Sequence, residues 1–243
     1  MRICAIIPTF ENPQTIGSVV DAVRAFVPDV IVVDDGSSSA ARDVVRALGE
    51  RGVATVEQRA ENGGKGAAVK TGLAVAQRLG FSHALQIDAD GQHDTSDIPA
   101  LLAASRAAPD ALVLGQPVFD ASAPKSRLYG RRVSVFWCAI ETLSHRVGDP
   151  LCGFRVYPVD AALAMRAAGN AMDFDPEIAV RLVWAGHPVV HVTTRVKYID
   201  SADGGVSHYR GFLDTVLISL MHTRLVILGA LRLLTWPIRA ALR

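Results

Sequence analysis

Apolar residues follow two rhythms along the first half of the chain. Ile3-Cys4-Ala5-Ile6-Ile7 and Val30-Ile31-Val32-Val33 are unbroken apolar runs, stopped by Pro8 and by Asp34-Asp35-Gly36-Ser37. Runs of that length, rich in branched residues, read as strands buried on both faces. Between them, residues 13–26 place Ile16, Val19, Val20 and Val23 at a helical spacing. The alternation continues. Residues 37–39 cap a helix reaching about residue 50, residues 53–58 form a third strand, and Asn62-Gly63-Gly64-Lys65-Gly66 opens a helix to about residue 79. Residues 82–88 and 111–115 complete five strands. Strands alternating with helices predict a mostly parallel sheet covered by helices on both faces.

The rhythm loosens after Gly115. A helix is expected over residues 127–146, with Arg127, Arg131 and Arg132 near its start, where cations are mildly unfavourable. That cluster points to an anionic partner or to a solvated face. A short helix over 159–168 follows. Another starts at Asp173-Phe174-Asp175-Pro176-Glu177, where proline and acids suit a helix N-terminus. Residues 189–192 and 195–199 read as two short strands, and 200–209 as a loop. Residues 212–243 are rich in Leu, Ile and Val, but Asp214, His222, Arg224 and Arg232 interrupt them. A bilayer span needs about 20 apolar residues. The tail therefore reads as one or two amphipathic helices on a membrane surface, on the protein's own core, or on the second subunit of a homodimer. The membrane surface is the preferred expectation.

In an open parallel sheet, ligands sit outside the carboxyl ends of the strands. Pro8-Thr9, Asp34-Asp35, the glycine loop and Asp88-Ala89-Asp90 all fall at that edge. Asp88 and Asp90 are one residue apart beyond a strand end. Like charges that close favour either a shared proton or a cation between them. Hard carboxylate oxygens suit Mg²⁺ or Mn²⁺, which also bind phosphates. The glycine loop is no Walker A loop, since no G-x-x-x-x-G-K-[ST] fits it.

Composition narrows the classes. The chain has 243 residues, half of them hydrophobic, and a net charge of +1. That excludes a disordered chain and gives no support for nucleic-acid binding by bulk charge. Cys4, Cys138 and Cys152 form no C-x-x-C pair, which argues for a reducing compartment without structural zinc or disulfides.

Taken together, Pro8-Thr9-Phe10, Val33-Asp34-Asp35-Gly36-Ser37, Asn62-x-Gly64-x-Gly66-x-Ala68 and Asp88-Ala89-Asp90-Gly91-Gln92-His93 resemble the family 2 glycosyltransferases. Asp149-Pro150-x-Cys152-Gly153-Phe154-Arg155 resembles a segment of their dolichol-phosphate-mannose-synthase-like branch. A narrower likeness, to the glycosyltransferases of aryl-polyene and xanthomonadin-type pigment clusters, rests on residues 115–122, 172–175 and 207–210. The resemblance implies a GT-A fold, with a catalytic domain over 1–211 (nucleotide-binding half 1–115, acceptor-side half 116–211) and amphipathic helices over 212–243. It implies transfer with inversion from a UDP- or GDP-sugar to a lipid-linked acceptor, a polyprenyl phosphate or a lipid or pigment hydroxyl. The enzyme would be peripheral on the cytoplasmic face of the inner membrane.

By position, the resemblance places Pro8, Thr9 and Glu11 in the base pocket and Asp35 against the base. Lys65, Gly66 and Ala89 lie near the donor. Asp88 reaches the ribose or sugar and, with Asp90, the metal, with Gln92 beside them. Arg132, Arg155, His208 and Arg210 surround the diphosphate or an anionic acceptor. Asp175 or Glu177 serves as general base for a hydroxyl acceptor, whereas a lipid phosphate needs none. Three features depart from the family: Glu11-Asn12 replaces Asn-Glu, His208 replaces a lysine, and no strong C-terminal span is present. The competing readings are a sugar-phosphate nucleotidyltransferase, which would want a glycine loop where Pro8-Thr9-Phe10-Glu11-Asn12-Pro13 stands, and a non-catalytic nucleotide-sugar-binding module.

Overall fold

The computed structural model describes residues 1–119, 125–197 and 211–235. The order is β1 Ile3–Thr9, α1 Ile16–Arg24, β2 Val30–Asp34, α2 Ser39–Glu50, β3 Thr55–Gln58, α3 Lys65–Arg78 and β4 His83–Gln86, as the alternating rhythm predicts. Then come α4 Ile98–Ala107, β5 Leu112–Phe119, α5 Lys125–Thr142, β6 Arg155–Pro158, α6 Val159–Ala164, α7 Phe174–Trp184, β7 Val189–Val196 and α8 Gly211–Leu234. A seven-stranded sheet runs in the order β3-β2-β1-β4-β6-β5-β7. All its strands are parallel except β6, which pairs antiparallel with both β4 and β5. This is the mixed α/β, GT-A-type layering expected.

Alternation along each strand divides the core between the two faces of the sheet. Ala5, Ile7, Val30, Val32 and Leu85 meet α1, α2 and α4 on one face. Cys4, Ile6, Ile31, Val33 and Ala84 meet α3, α7 and α8 on the other. Four elements differ from the sequence expectation. Helix α4 falls where only a capping cluster is legible; Asp94 accepts the Ser96 amide and Pro99 lies in the helix's first turn. Strand β6 is central yet only four residues long, and it holds a buried arginine. Residues 189–196 form one strand rather than two, because β7 pairs with β5 along all eight of its residues. The tail's described part is one helix, with Asp214, Ile218, Met221, His222 and Leu225 buried along one stripe.

Candidate active site

The carboxyl ends of β1, β2 and β4 open into a cleft of about 1320 Å³. Pro8, Thr9, Asp35, Lys65, Asp88, Ala89, Asp90, Gln92 and Asp175 all line it. At the end of β2, Asp35 accepts the Gly64 amide at 2.7 Å and the Gly63 amide at 3.2 Å, and Arg59 pairs with it at 3.1 Å. Burial raises its pKa, opposed by those two amides and Arg59. The glycines are needed here. Gly64 has φ +96°, and a Cβ on it would fall 2.5 Å from the Asn170 carbonyl oxygen.

Lys65, the first residue of α3, is the centre of the charged floor. Its side chain is 16% exposed, and its Nζ lies 2.7 Å from Asp88 Oδ1 and 3.1 Å from Asp175 Oδ2. Burial alone would depress the lysine; Asp175 and Asp88 outweigh it and hold the ammonium well above its ordinary range. Burial would likewise raise Asp88, but Lys65 and His93 hold its carboxyl well below the usual range. Asp90 goes the other way. Burial and then the Asp88 charge raise it, and the Gln92 amide at 3.0 Å only partly compensates. The two acids thus differ: Asp88 already has its counter-charge, whereas Asp90 is the carboxylate a cation would relieve. That environment fits Mg²⁺ or Mn²⁺, with Asp90 as the principal ligand and Asp88 beside it. Gly153, from the loop before β6, closes over this pair. A Cβ there would lie 2.3 Å from Asp88 Oδ2 and 2.6 Å from Lys65 Nζ.

Asp175 enters from the first turn of α7. Behind it, Gln86 Nε2 donates to Oδ1 at 3.4 Å and Arg155 Nη1 to the Asp175 carbonyl at 3.0 Å. Tyr157 donates to Gln86 Oε1 at 2.9 Å. Arg155 is fully buried and also donates to the carbonyls of Pro150 and Cys152. It therefore sits behind the cleft and orients Asp175.

Other candidate residues lie off the cleft. Glu177 is fully buried: it accepts the amides of Ala168 and Gly169 and pairs with Arg181 and Arg224. Burial would raise its pKa, but these donors lower it. Glu11, at φ +52°, turns its carboxylate onto the amide and hydroxyl of Ser38 at the start of α2. Gly66 is a packing residue, since a Cβ there would lie 2.3 Å from Phe174 Cβ. Arg132 is exposed, and its neighbour Arg131 lines the cleft instead, paired with Asp149 at 2.6 Å. His208 and Arg210 lie outside the described residues, as do residues 120–122 and 207–210 of the pigment-type motifs.

Helical phase could have distinguished Arg131 from Arg132. Arg131, Ser134, Cys138 and Glu141 recur at i, i+3, i+7 and i+10, one face of α5. The role of Gly153 has no such signal, because it depends on a contact across 65 residues.

Comparison with known proteins gives a consistent picture. The profile described as Glycosyl transferase family 2 matches residues 4–157. An undecaprenyl-phosphate mannosyltransferase of Micrococcus luteus is 34% identical over 119 residues, 47% of this chain and 48% of that protein. Glycosyltransferase AglJ of Haloferax volcanii is 25% identical over 90% of this chain and 70% of its own. Among solved structures, glucosyl-3-phosphoglycerate synthase from Mycobacterium tuberculosis, in complex with Mn²⁺, UDP-glucose and phosphoglyceric acid, superposes with a TM-score of 0.65. That match is at 18% identity and covers 93% of this chain and 79% of that one.

Proposed function

The chain belongs to glycosyl transferase family 2, and from that premise we propose that it transfers a sugar, with inversion, from a nucleoside-diphosphate donor to a lipid-linked acceptor. One observation carries the acceptor side. The cleft does not end at the carboxylates but runs on between α5 and α8, past Val133, Trp137, Ile218 and Ile227. Outside that groove the same two helices expose Phe136, Ile140, Phe212, Leu220 and Leu231. A polar donor site opening into an apolar groove, flanked by an apolar surface, suits an acceptor drawn from a lipid layer. Helix α8 is long and apolar enough to cross a membrane by length and composition. Its polar residues argue for lying along the body instead. His222 meets Glu141, Arg224 meets Glu177, and Arg232 donates to the Trp184 carbonyl.

In this reading, Pro8, Thr9 and Asp35 hold the nucleoside. Asp90, with Asp88, holds a divalent cation, which when bound would offset the charge growing on the departing diphosphate. Lys65 supplies fixed positive charge at the same place. It exchanges a carboxylate partner for donor phosphate oxygens, so it is preorganised for the leaving group. Asp175, held from behind by Gln86 and Arg155, faces the sugar. Glu177 positions that helix start through the 168–169 backbone. The enzyme works on the cytoplasmic face of the membrane, where nucleotide sugars are available.

The test is hydrolysis and transfer from a panel of UDP- and GDP-sugars with Mn²⁺ or EDTA. Vesicles with and without polyprenyl phosphate or polyprenol supply the acceptor. Metal-dependent turnover with label in the lipid phase is expected. Asp90→Ala should lower turnover about 10²–10³-fold, the range for losing one fixed group that stabilises developing charge. Binding of a nucleotide sugar without any turnover would favour the non-catalytic module.

A further inference from the structure

The wall between α5 and α8 holds a buried polar chain that the donor chemistry leaves unused. His222 Nδ1 lies 2.8 Å from Glu141 Oε1, and His222 Nε2 lies 3.4 Å from Ser134 Oγ. Glu141, His222 and Ser134 are only 5%, 4% and 3% exposed. His222 and Ser134 nonetheless line the cleft. The carboxylate dictates a proton on Nδ1, which leaves the Nε2 lone pair turned toward Ser134. The serine contact is long, so a closer donor would displace it. Glu141 Oε2 is buried with no hydrogen-bond partner among the described residues.

Position and charge give the chain a task. Arg224 reaches Glu177, and Arg232 reaches Trp184, so α8 runs parallel beside α7. His222 stands two residues before Arg224, and His222 and Asp175 both line the one cleft. Among the described residues of α5 and α8 that line the cleft, Arg131 is the one lysine or arginine, and it is paired with Asp149 at 2.6 Å. A hydroxyl acceptor entering this groove needs a group to take its proton, a role the Nε2 of His222 can fill.

We propose that His222 is the acceptor-side general base, with Glu141 as its positioning partner, and that the acceptor reacts through a neutral hydroxyl. This rests on the lipid-directed transferase reading above. The acceptor oxygen bonds to the anomeric carbon as the bond from that carbon to the diphosphate breaks. The electron pair leaves with the nucleoside diphosphate, and the hydroxyl proton passes to His222 Nε2. Glu141 balances the imidazolium that forms.

The experiment uses the full chain, the best-hydrolysed nucleotide sugar of the panel, and farnesol or farnesyl phosphate in phosphatidylcholine vesicles. Transfer to farnesol should exceed transfer to farnesyl phosphate. His222→Gln should lower farnesol transfer about 100-fold, the lower end of general-base contributions. Glu141→Gln keeps a hydrogen bond to His222 but removes the charge. It should lower kcat for farnesol at least tenfold with KM for farnesol unchanged, a split that a merely structural pair would not give. It also decides the matter if His222→Gln does not fold. Wild-type farnesol transfer by folded His222→Gln, or preference for farnesyl phosphate, overturns the proposal while leaving the transferase reading intact. Donor hydrolysis with transfer to neither lipid overturns the lipid reading itself. The Cys138 thiol lies within 4.8 Å of the Glu141 and His222 ligand atoms. Stoichiometric Zn²⁺ retained by the wild type and lost in Cys138→Ala would make the cluster a metal site and also overturn the base.

Discussion

Along the carboxyl edge of the sheet, the polar groups of the cleft come from turns that follow the strands they belong to. Thr9, Asp35 and Asp90 sit at or just past strand ends, and Asp35 finds its amide donors 28 and 29 residues on, in the next βα turn. Across the cleft the helical wall is built from distant partners. Glu141 and His222 are 81 residues apart, Glu177 and Arg224 are 47 apart, and the Gln86–Asp175 contact spans 89. The strand edge is polar because backbone amides at loop and helix starts can hold charge. The wall is apolar with a few buried charges, each held by groups from another element. A local motif can specify the first kind of site. The second kind exists only once the helices have docked.

That contrast can be broken at defined points. The largest effect belongs to the wall. Glu177→Ala would leave two backbone amides and two arginines without their carboxylate, at a cost of about 3–5 kcal/mol. Chemical denaturation should register it. Because the folded protein lowers the Glu177 pKa, its contribution is full above the ordinary carboxylate range and fades as pH falls through the folded value. The gap between wild type and variant should therefore narrow in acid. If the gap stayed constant from neutral to acid pH, the donors would not be acting on a charge.

An intermediate effect tests the seam between the two regions. Gly153→Ala pushes a methyl into Asp88 and Lys65, both of which can give way at their tips. Overpacking of about 1–3 kcal/mol is expected. Donor turnover should fall further than stability does, because the charged floor is displaced. Equal donor KM and kcat in the folded variant would remove Gly153 from the site. The smallest effect on stability is expected at the outer face. Phe136→Ser with Leu220→Ser should stay within about 0.5 kcal/mol of wild type, since both side chains are largely exposed. Flotation with vesicles should nevertheless weaken. Unchanged flotation would move the apolar face from a membrane to another role.

Hydrophobic rhythm and strand-end position carried the reading of the strand edge, because its chemistry follows the chain. The alternating rhythm predicts strands β1 to β5, and the ends of β1, β2 and β4 open into the cleft. The family resemblance implied that Lys65 lies near the donor but not that it sits between Asp88 and Asp175, since nothing local says that α7 begins opposite β4. Residues 173–177 show the limit most clearly. Asp175 and Glu177 look equivalent in the sequence, two acids at a helix start. A helix turns about 200° in two residues, so one carboxylate faces Lys65 in the cleft and the other points into the 168–169 backbone.

By itself, the sequence determined the layering of the fold, the edge of the sheet that bears the chemistry, and the pair of acids beyond β4, because hydrophobic period and strand-end position are local properties. Only the tertiary structure decided that β6 enters antiparallel, that Arg155 lies behind Asp175, and that α8 folds back to bury His222 against Glu141. Each of those depends on which faces pack together, and packing is a relation between segments far apart in the chain.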